Sequence, residues 1–248
     1  MVSLSPSITE MLFSLGYGKA VVGVSSFCKR PSDTKNIPVV GNYSHIKEEM
    51  LKDLNPDLIF VITGYQRRFL EGYSQYNLFP LPLPLSVYGI IDLLHSVSLV
   101  IQHQDKAMEI EKELLKILEK YCCTQTSKKV YVEFSLGGPV TFGAFSYITH
   151  ALNLVGFKNI YGNEPLSWIT PDYQYVKGQD PDIIIYEHLW GKEPTQEEVK
   201  KLFAERGLDG SKAYRDDAIF ITPGKYDFLA HHGPSFIKEA IPWLSSLT

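Results

Sequence analysis

Asn55-Pro56-Asp57-Leu58-Ile59-Phe60-Val61 and Asp180-Pro181-Asp182-Ile183-Ile184-Ile185-Tyr186 share one pattern, Pro-Asp followed by an unbroken aliphatic run. A proline pushes the residue before it out of the helical region, and an aliphatic run of this length reads as a strand buried on both faces of a parallel sheet. Each copy follows a helix-like segment and ends in a Gly- or aromatic-bearing loop, so the two halves look built to one plan. Two lobes imply a cleft between them, and the function is expected there.

Outward from the first copy, Val2-Ser3-Leu4-Ser5 reads as a short buried strand that Pro6 stops, and Ser7 or Thr9 then caps a helix ending at Gly16 or Gly18. Val21 to Val24 is a second strand, Lys29 to Lys35 a polar turn around Pro31, and Ile46 to Leu54 a helix. Pro80-Leu81-Pro82-Leu83-Pro84 is extended. Two helices follow. Ile90, Ile91, Leu94, Val97 and Ile101 mark the first, and the second runs from about Asp105 to Tyr121 with Met108, Leu114, Leu115, Leu118 and Tyr121 on one face. The plan then restarts with a strand over Val130 to Phe134, a hairpin-like insert near Gly138 to Gly143 and a helix over Ser146 to Val155 ended by Gly156. Thr195 to Glu205 is a polar helix, Ala218 to Thr222 the last strand and Pro234 to Leu244 a closing helix.

Strands alternating with helices indicate parallel sheets covered by helices. The expected fold is therefore α/β: two Rossmann-like lobes with mostly parallel sheets joined by a single long rigid α-helix, with the ligand cleft between the lobes. The boundaries expected are 1–88 for the N-terminal lobe, 89–124 for the linker helices and 125–248 for the C-terminal lobe.

Composition narrows the function. The 248 residues are 44% hydrophobic and 21% charged, as in a soluble globular protein, and the net charge is -4 with mixed signs throughout. A nucleic-acid or anionic-membrane surface is not expected from that balance. No stretch approaches the roughly 20 apolar residues that span a bilayer. The chain enters its first strand at Val2 without a basic or apolar leader, which fits either a cytosolic protein or a mature exported one. Cys28, Cys122 and Cys123 lack ligand spacing and suggest neither a disulfide framework nor a zinc site.

No catalytic signature stands out. Gly16-Tyr17-Gly18-Lys19 lacks phosphate-loop spacing, and neither a Gly-x-Ser-x-Gly elbow nor a His-Glu-x-x-His helix occurs. Glu187-His188, Asp227 and His231-His232 fall in loops after strands, where open sheets bind ligands, and His188 and His231 are the candidate metal ligands. The aromatic pattern is stronger. Phe27, Tyr43 and Tyr65 follow successive strands of the first half, and Phe142, Trp168, Trp190 and Tyr226 occupy the corresponding loops of the second. Seven rings at one edge of two sheets suit a large, flat, partly apolar ligand.

The residues that carry a family resemblance are Ser3-Leu4-Ser5-Pro6-Ser7-Ile8-Thr9-Glu10, Val22-Gly23-Val24-Ser25-Ser26-Phe27, Leu54-Asn55-Pro56-Asp57-Leu58-Ile59 and Lys128-Lys129-Val130-Tyr131-Val132-Glu133-Phe134. Pro139 to Gly143, Ser167-Trp168 and Gly233-Pro234-Ser235 extend it. On these the chain resembles the substrate-binding proteins of ABC importers for cobalamin, ferric siderophores and haem, and most closely the periplasmic cobalamin-binding members. The resemblance implies a non-enzymatic, monomeric, extracytoplasmic protein that needs no cofactor, binds cobalamin or another metal chelate, and delivers it to an ABC transporter permease. It matches Phe27, Tyr43 and Trp168 to the aromatic positions that flank the corrin ring, with Tyr65 and Tyr226 near their matching positions. Permease docking through an acid on each lobe falls on Glu49 in the first; in the second, Gln174 stands at the aligned position and Asp172 is the nearest acid. Two other readings remain open. One is the same fold carrying haem, with an axial histidine among His188, His231 and His232, or a ferric siderophore held by Arg30, Arg67 or Arg68; the other is a cytosolic enzyme or metal-handling protein.

Overall fold

The computed structural model describes residues 1–42, 45–64, 72–121, 127–189, 191–224 and 227–248. Packing divides the chain into two compact units. One comprises Met1–Pro84, Tyr88–Leu115 and His232–Pro234, the other Leu85–Val87, Lys116–His231 and Ser235–Thr248.

In the first unit, β1 (Val2–Ser3), α1 (Pro6–Ser14), β2 (Gly23–Ser25), β3 (Val39–Gly41), α2 (Glu48–Leu54), β4 (Ile59–Ile62) and β5 (Leu78–Leu81) alternate as expected. The sheet is parallel throughout, in the order β3-β2-β1-β4-β5, with Val2 opposite both Gly23 and Ile59. The order reverses beside β1, so the carboxyl ends of β1 and β4 form the switch point at which open sheets receive ligands. Val2, Leu4, Val40, Ile46, Leu51, Ile59 and Val61 make an aliphatic core, each such side chain contributing about 1.5–3 kcal/mol by leaving water. Pro80 lies in β5, an edge strand, where a missing N–H costs no ladder bond.

Several local expectations shift. The second strand lies at Gly23–Ser25 rather than Val21 to Val24. The N-cap of α1 is Ser5, with Pro6 opening the helix, and no side chain caps it. The hydroxyls bond one another instead: Ser5 Oγ is 2.9 Å from Ser7 Oγ, and Thr9 Oγ1 donates to Ser3 Oγ at 2.8 Å and to the Ser5 carbonyl at 2.9 Å. Two long helices follow, α3 (Val87–Ile101) and α4 (Gln104–Tyr121). The buried stripe of α4 is Ala107, Ile110, Leu114 and Leu118, whereas Met108 and Leu115 are exposed; the apolar face is rotated by one residue from the sequence reading. No helix of the described residues is long and apolar enough to cross a membrane.

The second unit is built on β6 (Lys129–Ser135), β7 (Pro139–Val140), α5 (Tyr147–Leu154), β8 (Lys158–Asn159), α6 (Tyr173–Gln179), β9 (Ile183–His188), α7 (Gln196–Glu205), α8 (Lys212–Arg215) and β10 (Ile219–Ile221). β10, β9 and β6 are parallel neighbours. Along β6, β8 pairs in parallel at its start and β7 antiparallel at its end, which is the expected hairpin insert. Ser146 caps α5 by accepting from Ile148 N, and Thr195 with Glu198 forms a capping box on α7. The closing segment is a π-helical turn, Phe236–Ala240, running into α9 (Ile241–Ser245). Pro242 lies just after this change of winding and has no N–H to continue the regular ladder.

The core of the second unit is rich in rings, with Tyr131, Tyr161, Tyr186 and Phe203 among Val176, Ile184 and Val199. It also encloses a charge. Glu133 is fully buried in β6, pairs with Arg206 Nη1, and accepts from Tyr131 Oη at 2.6 Å and Tyr173 Oη at 3.1 Å. Burial, reinforced by the Glu133 charge, pushes both phenols up, so they stay protonated and donate. The Arg206 guanidinium also stacks over Tyr173, 4.9 Å from the ring centre.

Candidate functional site

Two loops of the second unit pair into a two-ply layer. Thr141 and Ile169 exchange backbone hydrogen bonds at 2.8 and 2.9 Å, Ala144 N donates to the Glu164 carbonyl at 2.7 Å, and Phe145 N to that of Leu166 at 3.2 Å. From beneath, buried Asn159 donates to the Phe142 carbonyl at 2.8 Å and to Thr149 Oγ1 at 2.6 Å, and Thr149 donates to the Gly143 carbonyl at 2.6 Å. Gly143 is held so closely against the carbonyls of Leu166 and Glu164 that no Cβ fits. These constraints fix a tier of rings. Phe134 lies at the bottom, Phe142 meets it edge-on with centroids 4.5 Å apart, and half-buried Trp168 lies against Phe142 at 5.7 Å. Exposed Phe145 and Leu166, 52% and 53% accessible, flank the tier.

The expected site residues are thus distributed unequally. Trp168 is at the surface of the tier, while Phe142 is 4% exposed and supports it from below. Phe145 and Leu166 were missed by the sequence reading, because their signal is the pairing of two loops about twenty residues apart. Phe27 is half-buried just after β2 in the first unit. There Ser25 Oγ is 3.2 Å from the buried Cys28 Sγ, and Thr63 N donates to the Leu81 carbonyl at 2.8 Å at the end of β4. Arg30 is half-buried. Tyr43, Tyr65, Arg67, Arg68, Trp190 and Tyr226, like Cys122 and Cys123, lie outside the described residues.

The histidine cluster resolves into separate parts. Glu187 is fully buried at the end of β9, and its carboxylate accepts from the amides of Phe228 at 2.9 Å, Leu229 at 2.6 Å and Ala230 at 2.9 Å. Burial pushes its carboxyl up to about 7 against the pull of those three amides, and the charge of Asp227 adds to the rise. Tyr147 Oη donates to the carbonyls of Leu229 and Ala230, both at 2.9 Å, so the segment is held from two sides. The Glu187 oxygens are therefore committed to the backbone. His231, 1% exposed, has Nδ1 3.5 Å from Asp227 Oδ2. Among the described residues no three His, Cys, Asp or Glu side chains converge into a metal shell. His188 faces instead a cavity of about 220 Å³ shared with Glu193, Pro194, Ile221, Thr222 and Gly224.

The two acids expected to dock a permease have different surroundings. Glu49 is exposed in the first turn of α2. Asp172, also exposed, caps α6 by accepting from Gln174 N at 2.9 Å and Tyr175 N at 3.4 Å, and the Gln174 side chain is exposed beside it.

Parallel sheets alternating with helices in both units define an α/β protein. The family model described as periplasmic binding protein matches residues 1–226, and the chain belongs to that family. The Vitamin B12-binding protein of Photorhabdus laumondii is 25% identical to it over 190 residues, 75% of this chain and 69% of the relative. Among solved structures, the periplasmic vitamin B12 binding protein BtuF of Vibrio cholerae is similar with a TM-score of 0.78 at 19% identity, covering 99% of this chain and 94% of that one. The periplasmic haem binding protein HutB of the same organism gives 0.81 at 18% identity, covering 99% and 97%. At such identities the structures speak for the fold alone. The relatives are named as binding proteins, not as enzymes.

Proposed function

We infer that this chain is the substrate-binding component of an ABC importer and that its cargo is a corrinoid of the cobalamin type. The observation that carries the reading is the ring tier, in which half-buried Trp168 lies against Phe142, Phe142 meets Phe134 edge-on, and Phe145 and Leu166 are exposed on the same paired loops. A surface of this kind suits the apolar face of a broad macrocycle. The curated relatives named for vitamin B12 favour a corrin over other flat chelates. In this reading Phe27, Tyr43, Tyr65, Trp190 and Tyr226 also contact the corrinoid, and Glu49 with Asp172 or Gln174 meets the permease. The protein works as a monomer outside the cytoplasm.

Calorimetric titration of the purified protein with cyanocobalamin tests this. A saturable heat and a raised melting temperature are expected, and Trp168→Ala should weaken binding by about tenfold, ~1.4 kcal/mol. Absence of heat and of thermal shift, with a Soret-band change on adding haemin, would move the cargo from corrinoid to haem.

A further inference from the structure

The cavity at the carboxyl ends of β9 and β10 has a chemistry that ring stacking does not use. At about 220 Å³ it lies below the roughly 300–1,000 Å³ of sites that take a whole drug-sized molecule, so it fits a side arm rather than a macrocycle. His188 Nε2 is buried and meets no hydrogen-bond partner among the described residues. A buried ring nitrogen without a partner among the described residues is a position that a ligand's N–H can complete.

The rest of the lining says what completes it. Glu193 and Thr222 supply its other polar side chains, Ile221 and Pro194 its apolar walls, and no Lys or Arg is among the described lining residues. The Glu193 carboxylate accepts, His188 Nε2 accepts when the imidazole carries its proton on Nδ1, and the Thr222 hydroxyl donates. The complement is an uncharged group with two N–H donors and one carbonyl acceptor. A carboxylate of the same shape offers no donor and meets Glu193 as a like charge.

We propose that this cavity is an amide-selective subsite that takes a primary carboxamide of the cargo and rejects the corresponding carboxylate. The proposal rests on the corrinoid reading, since a cobalamin-type ring carries carboxamide arms where haem carries carboxylates. It gives the second unit a means of choosing between two macrocycles of similar shape. His188 and Glu193 act here as specificity determinants rather than as metal ligands.

Two measurements test it. Propionamide and propionate are titrated into the isotope-labelled full chain at about pH 8, where both Glu193 and propionate are ionised, and the His188 ring signals are followed. Saturable shifts with propionamide and at least about tenfold weaker ones with propionate are expected, the gap closing to within about threefold in Glu193→Gln. Equal response to both probes, or to neither, overturns the subsite. Cyanocobalamin is then compared by calorimetry with its monocarboxylic hydrolysis products. One isomer should bind wild type about tenfold more weakly than the parent and recover in Glu193→Gln. Isomers that all bind like the parent overturn the subsite while leaving the corrinoid reading. Propionamide shifts at His188 without any cyanocobalamin heat would leave the subsite and remove the corrinoid.

Discussion

In the first unit α2 ends at Asn55, φ 38°, and in the second α6 ends at Asp180, φ 47°; each of these left-handed residues precedes a proline and then a parallel strand. The backbone device is the same, but the aspartate after the proline is employed differently. Asp57 offers its carbonyl to Asn77 Nδ2 at 3.0 Å. Asp182 puts its carboxylate between Lys129 N at 2.7 Å and Lys212 Nζ at 2.6 Å, and Asp180 accepts from Lys212 N at 2.8 Å. The contrast extends inward, from the aliphatic core of the first unit to rings and the buried Glu133–Arg206 pair of the second. A corner that chain stereochemistry already defines leaves its side chains available to tie distant segments together. The second unit uses both aspartate carboxylates in this way; in the first, the Asp57 carboxylate acts through its charge on the Met1 ammonium.

The largest effect expected is from Glu133→Ala. Removing one partner of a buried pair strands the other and typically costs about 3–5 kcal/mol, read as a lower denaturation midpoint. A loss under about 1 kcal/mol would mean that the polar cluster is interchangeable with an apolar core. Next comes Gly143→Ala, which should cost about 1–3 kcal/mol as the two loop plies are forced apart and should alter tryptophan fluorescence. Gly138→Ala, where a Cβ meets nothing within 4 Å, should be nearly silent.

The paired aspartates sharpen the comparison through pH. Burial alone would raise the Asp182 carboxyl, but the bonds from Lys212 and Lys129 outweigh it and the group is held below its ordinary value. A lowered folded value contributes stability above the unfolded value of about 3.9 and loses it as pH falls through the folded one. Asp182→Asn should therefore cost about 1 kcal/mol near neutrality, with the gap to wild type closing in acid. Asp57→Asn should show a smaller cost and a smaller pH dependence. The smallest contrast is at the corners. Asn55→Gly should be neutral or stabilising by a few tenths of a kcal/mol, because glycine enters the left-handed region freely. Asp180→Gly should destabilise by about 0.5–1 kcal/mol through the lost bond to Lys212 N.

The alternation of strands and helices was legible because a buried parallel strand must be nearly continuous in apolar residues, as at Ile59–Ile62 and over Ile183, Ile184, Ile185 and Tyr186 in β9. The hydroxyls around α1 misled the cap assignment: Ser5, Ser7 and Thr9 all have capping chemistry, and their bonds to one another decide the outcome. β8 and α8, with two and four residues, are too short for any periodicity to register. Of the ring tier, Phe142 and Trp168 could be singled out as rings in loops of the second half. The hold of Asn159 and Thr149 on the Phe142 and Gly143 carbonyls, and the Glu133–Arg206 pair in the core, are contacts between residues remote in sequence that no local pattern encodes.

Glu187 also has a consequence for hydrogen exchange. The amides of Phe228, Leu229 and Ala230 lie in a stretch with neither helix nor strand, where rapid exchange with deuterated solvent is the ordinary outcome. Fastened to one carboxylate, they should exchange as slowly as a sheet interior. Because burial pushes that carboxyl up to about 7, the closed loop binds the proton more tightly than the opened one, and their protection should rise on mild acidification and weaken as pH climbs past neutrality, making an irregular loop the reporter of a single buried proton.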